Sequence, residues 1–560
     1  MPREIRVFGP PGTGKTHELA TWYIPQAVKQ FGPDNVIVCS FTRSAAREIA
    51  GRGIEVNEEH VGTLHALCYR ILGRPELTQG HLKDWNSLHP GLALSGGIQR
   101  DVDEGGDEPD AALTAGDIFH ARADIYRARL RPAPMWDSET AAFYKLWTAW
   151  KKTNYYVDFT DLIEEALQWH PEFPGRPNVI IVDEAQDFTP LQLKLIRAWG
   201  EHCDWIVLSG DDDQCIYNFT GASPHAFIQP EIDPKLIRIL GQSYRCPPHI
   251  TTFSDLWIKT LYNRRQEKPY RSRPGEGKIF YESGNYKFSE DILMKIRACV
   301  KGKTPNPDRP EVMILASCGY MLSQIRAGLF AFGLPFHNPW RRRRRDWNPV
   351  ALAGKGRVTG REIVQAFLSE EGLDEGLWNV PTLLTWAKHI KVGDTGIQPR
   401  TGRKALEALG EAVEKRSLGL FTTRHVLTDV FSAAALEPLR ARNTAWFREN
   451  ILGQKKTSID FPLRIVKQMG LNALIDPPQI VLGTIHSVKG GEAENVFLFP
   501  DISLAAWRAA VEDPEEHDAI IRLFYVGMSR TRQNLHLASP ALKGLGGYRR
   551  PLAVDWKEGL

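Results

Sequence analysis

The sequence predicts an α/β fold in which short parallel strands form two sheets covered on both faces by helices. Two observations carry that expectation. Unbroken apolar runs such as Val36–Cys39 and Val179–Val182 alternate with helix-compatible stretches, and a strand with no polar alternation must be buried on both sides, as in a parallel sheet. The run Ile5–Phe8 also passes through a glycine-rich loop into a helix-compatible stretch, His17–Val28, which is the strand, loop, helix order of a crossover unit.

The remaining elements follow along the chain. Val36–Cys39 leads into the Ala-rich SFTRSAAREIA, read as a helix beginning just after a strand. From about Arg70 to Lys152 the alternation gives way to Trp- and Tyr-containing helical segments, interrupted by the acidic DVDEGGDEPDAA at Asp101–Ala112. Residues 70–152 are therefore expected to be a helical insert with a solvated loop, which leaves 1–69 and 153–240 for the first sheet domain. Strands return at Val179–Val182 and Trp205–Ser209. A second sheet is expected to begin at Val312–Ala316 and to end with Ile480–Thr484 and Val496–Phe499, within a domain of residues 241–345 and 476–560. Between its halves, 346–475 reads as a second helical insert, typified by RTGRKALEALGEAVEKRS at Arg400–Ser417. A chain of 560 residues has room for such a division, at about 100 to 200 residues per domain.

Composition narrows the function classes. Apolar residues make up 42% and charged residues 24%, and no apolar run approaches the ~20 residues of a membrane span. Met1–Phe8 run directly into the glycine-rich loop and leave no room for a signal peptide, so the expected location is cytoplasmic, in a bacterial or phage-encoded setting, with no membrane partner. Seven cysteines without a Cys-x-x-Cys pair fit neither a disulfide framework nor a zinc site and are expected to be reduced, mostly buried thiols. A net charge of +3 permits a nucleic-acid partner without arguing for one.

The chemistry begins in GPPGTGKT, comprising Gly9, Pro10, Pro11, Gly12, Thr13, Gly14, Lys15 and Thr16. Its glycines let the backbone curl so that amide groups surround phosphate oxygens at a helix N-terminus, Lys15 reaches the terminal phosphates, and Thr16 is a magnesium ligand. In VIIVDEAQD, Val179–Asp187, an apolar strand ends in two adjacent carboxylates. Asp183 is expected to hold Mg2+ and Glu184 to polarise the attacking water; the bland alternative is a pair of helix-capping acids. Beyond the strand Trp205–Ser209, Gln214 is either a sensor of the terminal phosphate or part of a polar turn.

The order of segments then becomes specific. After GPPGTGKT come SFTRSAAREI, GTLHALCYRIL, VDEAQD, GDDDQCIY, QSYRCP, TIHSVKGGE and FYVGMSRTR, and this series resembles the motif series of the UvrD, PcrA and Rep helicases of superfamily one. The resemblance covers the two motor regions and is weak in the inserts. It implies two RecA-like domains, each with a mainly helical insert, ATP and Mg2+ as cofactors, and single-stranded DNA and ss/ds junctions as partners, with replication or repair proteins as further partners. It assigns Arg245 and Arg530 to the terminal phosphate, where planar guanidinium groups meet spreading charge with paired donors; the bland reading of each is a surface salt bridge. Tyr244 matches a base-stacking aromatic and Glu492 a carboxylate near the ribose, with packing or capping as the alternatives. Thr42, Arg43, Thr63, His65, Thr484, His486 and Ser487 match contacts along the DNA strand. Phe219 matches an aromatic on which a base stacks, against a buried core Phe.

Several positions depart from the family pattern. Only eight residues precede Gly9, where the family has a Gln-containing segment that reads adenine, and Thr220, Leu64 and Gly491 replace the usual arginine, aromatic and leucine. The chain ends about 30 residues after the last motif, which predicts no fused nuclease domain. The run Arg341–Arg345 is open between duplex phosphate contact and a solvated segment.

The expected activity is an ATP-dependent helicase or translocase that moves 3' to 5' on single-stranded DNA and unwinds duplex. One alternative is a DNA-stimulated ATPase that displaces bound proteins without separating strands. The other is a small-molecule phosphotransferase, which would leave both arginines and the strand-contact series without a role.

Overall fold

The computed structural model describes residues 3–41, 56–96, 113–263, 266–303, 306, 309–342, 344–352, 357–369, 378–414, 423–541 and 552–557. The expected helix in SFTRSAAREIA and the acidic stretch Asp101–Ala112 lie outside the described residues, apart from Ser40 and Phe41.

Among the described residues the fold is α/β, with two sheets of six strands flanked by helices. The first sheet contains β1 (Arg3–Phe8), β2 (Val36–Ser40), β3 (Val61–Thr63), β4 (Val179–Asp183), β5 (Trp205–Gly210) and β6 (Ile237–Ile239), in the order β3-β2-β4-β5-β1-β6. Its neighbouring strands pair in parallel, with Val7 opposite Ser209, and Val38 opposite Ile181. Alternate side chains of these strands enter two separate cores, as the period of two requires. Val7, Val36, Val38, Ile181 and Val207 pack with Leu19, Ile24 and Ala27 on one face. Phe8, Ile37, Ile180, Val182 and Leu208 pack with Leu67, Ile163 and Ile196 on the other. Burial on both faces explains why these strands read as continuous apolar runs.

The second sheet is ordered β7-β12-β11-β8-β10-β9, from β7 (Lys278–Tyr281), β8 (Val312–Ala316), β9 (Phe336–His337), β10 (Ile480–Thr484), β11 (Ala493–Leu498) and β12 (Thr531–Leu537). The sequence predicted this sheet from β8 onward and missed the two-residue β9 as well as β7 and β12. The latter two carry polar or exposed positions, KIFY and TRQNLHL, and so lack the apolar signature of the buried strands. β12 pairs in parallel with both β7 and β11.

Contacts gather the chain into two compact units. The first comprises Met1–Asn285, Leu315–Met321 and Gly483–Leu560. Its helices Leu82–Leu88, Ala115–Ala128 and Ser138–Asn154 enclose Trp85, Phe143, Trp147 and Trp150, which accounts for the aromatic content of that stretch. The second comprises Tyr286–Ile314 and Leu322–Leu482. There Phe367 stacks on Phe447 with 4.0 Å between ring centroids and meets Trp386 edge-on, joining helices Gly360–Leu368, Val380–Ala387 and Thr444–Asn450. Within the helix-forming stretch Arg400–Ser417 the described helix is Gly402–Glu414, and residues 415–417 lie outside the described residues.

The arginine run is not uniformly solvated. Arg341 is buried and Arg344 lies 4.3 Å over the ring of Trp347, while Arg343 lies outside the described residues. All seven cysteines are free thiols and six are buried.

Candidate active site

Parallel register brings the C-terminal ends of β1, β4 and β5 side by side, the usual position of a ligand crevice in such sheets. The GPPGTGKT loop leaves β1 and enters the helical stretch from Lys15 to Phe31, which contains a π-helical turn at Leu19–Tyr23. Gly12 and Gly14 have φ of 74° and 79°, a region costly for any residue with a Cβ. A Cβ on Gly12 would also stand 2.5 Å from the Cβ of Arg245. The loop is braced internally: Thr13 Oγ1 donates to the Pro10 carbonyl at 2.8 Å, and Lys15 Nζ donates to the Gly9 carbonyl at 2.8 Å.

Thr16 Oγ1 donates to Asp183 Oδ2 at 2.6 Å, joining the end of the loop to the end of β4. Burial and the neighbouring Glu184 raise the Asp183 carboxyl to about 6, against the pull of Thr16 and Lys15. A buried carboxylate paired with a hydroxyl is a hard oxygen set, suited to magnesium, and a divalent charge would favour the ionised form. The residues present therefore fit the ion.

Glu184 adopts φ 55°, ψ 42°, a left-handed conformation uncommon for a residue with a side chain. Its Oε2 accepts from Gln186 Nε2 at 2.5 Å, while Gln186 Oε1 accepts from the Asp211 amide at 2.9 Å. Burial alone would raise the Glu184 carboxyl; Lys489 and Lys15 outweigh it and hold the group below its ordinary range. Asp187 behaves oppositely. Burial, with Glu184 adding to it, pushes this carboxyl up to about 7 even though Lys489 Nζ contacts Oδ2.

Gln214 is buried at the end of β5. Its Nε2 donates to Asp211 Oδ2 at 2.6 Å and its Oε1 accepts from Arg530 Nη2 at 3.0 Å. Arg530 is itself buried, and its Nε donates to the Val526 carbonyl at 3.0 Å. Burial and the nearby Arg245 lower its guanidinium to about 9. Arg245 belongs to a segment seated on the glycine-rich loop: Ser243 Oγ donates to the Pro11 carbonyl at 3.1 Å and the Tyr244 amide to the Gly12 carbonyl at 2.8 Å. Arg245 Nε donates to Glu492 Oε2 at 2.7 Å, and Glu492 Oε1 accepts from Arg532 Nη1 at 2.6 Å. Tyr244 is 67% exposed.

Sequence reasoning missed Gln186, Asp187, Asp211, Lys489 and Arg532, all polar residues inside motifs already singled out. Polar groups next to the assigned ones were the available signal; their pairings required the fold.

The residues read as strand contacts divide. Phe219 is 40% exposed and lies edge-on to His486, with ring centroids 5.4 Å apart; His486 Nε2 is 3.2 Å from the Ile216 carbonyl oxygen. Thr63 caps the helix Leu64–Ile71 by accepting from the Ala66 amide at 3.3 Å, and His65 meets Phe159 edge-on. Thr484 and Ser487 are buried; Thr484 Oγ1 accepts from the Ser487 amide and Ser487 Oγ donates to the Thr484 carbonyl. Thr42 and Arg43 lie outside the described residues. Leu64 enters the core beneath the first sheet, a placement that suits an aliphatic side chain.

A phosphate-binding loop joined to a buried Asp at the next-but-one strand, with two arginines beside them, defines a P-loop nucleoside triphosphatase of the parallel-sheet α/β class. Comparison with known families narrows this class: residues 2–235 match the UvrD/REP helicase N-terminal domain, and the protein is UvrD/PcrA/Rep-like. The ATP-dependent DNA helicase UvrD2 of Mycobacterium tuberculosis is 26% identical to it, over 97% of this chain and 77% of the relative. The ATP-dependent DNA helicase PcrA of Bacillus subtilis is 27% identical over 50% of this chain and 40% of the relative. The ATP-dependent DNA helicase SRS2 of Saccharomyces cerevisiae is 25% identical over 48% of this chain and 27% of the relative. Among the described residues no helix is long and apolar enough to cross a membrane.

Proposed function

We propose that this protein is an ATP-dependent DNA helicase that moves 3' to 5' along single-stranded DNA and separates strands at ss/ds junctions. Its two parallel sheets are read as two RecA-like domains, 1–69 with 153–240 and 241–345 with 476–560. Residues 70–152 and 346–475 are read as helical inserts. The observation that carries the ATPase reading is the convergence of Lys15, Thr16, Asp183, Glu184, Gln214, Arg245 and Arg530 around one loop.

Each residue has a defined task in that reading. Loop amides and Lys15 cradle the triphosphate, and Thr16 with Asp183 would hold Mg2+, which neutralises phosphate charge when bound. Glu184, kept ionised by Lys489 and Lys15, orients the attacking water and accepts its proton. Gln214 reports the terminal phosphate to Arg530. Arg245 and Arg530 meet charge developing on the transferred phosphoryl group. Tyr244 stacks on the base and Glu492 lies near the ribose. Thr63, His65, Phe219, Thr484, His486 and Ser487, together with Thr42 and Arg43 outside the described residues, are assigned to the DNA track, the exposed ring of Phe219 providing a stacking platform that tolerates any base. The names of the relatives support DNA as the substrate, and replication or repair proteins are the further partners proposed.

The test is steady-state ATP hydrolysis with and without single-stranded DNA, with Lys15→Ala and Glu184→Gln as controls, followed by unwinding of duplexes tailed at either end. DNA-stimulated turnover lost in both variants, with unwinding from a 3' tail, is the expected result. Turnover indifferent to DNA would refute a translocase; stimulated turnover without unwinding would favour a remodeller of DNA-bound proteins. Phe219→Ala should weaken single-stranded DNA binding by about 1–3 kcal/mol while basal turnover persists, as titration of labelled oligonucleotide would reveal.

A further inference from the structure

Lys268 belongs to none of the motif segments, yet it is almost completely buried, with its side chain 1% exposed. Its Nζ lies 3.1 Å from Asp211 Oδ1 and 3.1 Å from Asp213 Oδ2, contacts Asp212 Oδ1, and donates to the Gln266 carbonyl at 3.2 Å. Three consecutive buried carboxylates thus share one ammonium. Asp211 also reaches the nucleotide site: its Oδ2 accepts from Gln214 Nε2 at 2.6 Å, and Gln214 Oε1 accepts from Arg530 Nη2 at 3.0 Å.

We infer that Lys268 is a positioning residue that acts through Asp211 to fix which end of the Gln214 amide faces Arg530. A carboxylate can only accept and a guanidinium can only donate. An ionised Asp211 therefore binds the amide nitrogen and leaves the amide oxygen for Arg530. That arrangement holds only while Asp211 stays ionised. Burial beside two like charges favours the protonated acid, which can donate to the amide oxygen and turn the group over. The NH2 of Gln214 would then oppose the donors of Arg530. Lys268 is the countercharge that prevents this, from a position 57 residues along the chain from Asp211.

The inference rests on the ATPase reading above, and its test separates the two. Lys268→Met, Asp211→Asn and Asp213→Asn are compared in ATP hydrolysis and thermal melting, Lys268→Met also in a Gln214→Ala background. Lys268→Met and Asp211→Asn should lower kcat on the order of tenfold with KM for ATP changed by less than about twofold, whereas Asp213→Asn should leave kcat within about twofold. In the Gln214→Ala background, Lys268→Met should cost no further kcat, because the group it positions is gone. Additive losses in the double variant would overturn the inference. So would a loss in Asp213→Asn equal to that in Asp211→Asn, since a purely structural cluster makes its carboxylates equivalent. Should Lys268→Met not fold, the contrast between the two Asp variants decides. Turnover by the unaltered protein that ignores DNA would overturn the helicase reading and leave the Gln214 comparison intact.

Discussion

Two buried clusters of carboxylates and cations in the first unit hold their most buried carboxyls in opposite directions, Asp158 below and Asp183 and Asp187 above the ordinary range. Each also has a member of the other kind, Asp161 raised in the first and Glu184 lowered in the second. Among the helices, Asp158 accepts from Arg127 Nη1 at 3.1 Å and Trp147 Nε1 at 3.0 Å, contacts Lys151, and caps the helix Phe159–Trp169 by accepting from the Asp161 amide at 2.8 Å. Burial would raise this carboxyl, but Arg127 and Lys151 overcome it and hold the group well below the usual range. At the ends of β1 and β4 the balance is reversed, with Asp183 raised to about 6 and Asp187 to about 7, chiefly by burial. A cluster that neutralises itself joins helices together. One that leaves carboxylates crowded is electrostatically prepared for a cation, at some cost to stability.

The comparison breaks most sharply under substitution. Asp158→Ala removes the fully buried carboxylate that Arg127 and Lys151 share, leaving them Asp161 and Glu164, and should cost about 3 kcal/mol, read as a lower melting temperature, while turnover per folded molecule is retained. Asp183→Asn removes a crowded charge and should lower turnover on the order of 100-fold, about 2.7 kcal/mol of barrier, with no fall in melting temperature. Loss of activity without loss of stability at Asp158 would mean that the two clusters are one functional network.

A smaller effect should appear in the pH dependence of stability, measured by melting without nucleotide or magnesium. Folded pKa values above the unfolded value near 3.9 mean that Asp183 and Asp187 contribute stability below about pH 4 that is lost as pH rises through about 6 to 7. Asp158 has the opposite sign, its contribution being present above about pH 4 and lost on further acidification. Asp183→Asn should lessen the first dependence, with the share from Asp187 remaining, and leave the second unchanged. A melting temperature that rose between pH 5 and 7 in the unaltered protein and fell to a flat line in Asp158→Ala would assign the wrong cluster to that window.

The nucleotide site was legible where one short segment carries the whole signal. GPPGTGKT needs its glycines for backbone curvature, and VIIVDEAQD sets its carboxylates at the end of a strand buried on both faces. Strands β7 and β12 were not legible, because their polar residues erase the apolar run. Lys268 was equally silent, since a lone lysine in a polar stretch carries no periodicity or spacing. Exposure was also out of reach: Phe219 is 40% exposed, whereas Thr484 and Ser487 turn their hydroxyls into local hydrogen bonds.

By itself the sequence determined the chemistry of the phosphate loop, the acidic strand end, the buried central strands and the order of the motifs, because each depends on neighbours a few residues apart. Only the tertiary structure decided that the Thr16 hydroxyl meets an Asp 167 residues away, that Gln214 stands between Asp211 and Arg530, and that one ammonium serves three carboxylates. The physical reason is that parallel pairing aligns the strand ends, and burial then makes the free energy of every charge there depend on partners that sequence distance does not reveal.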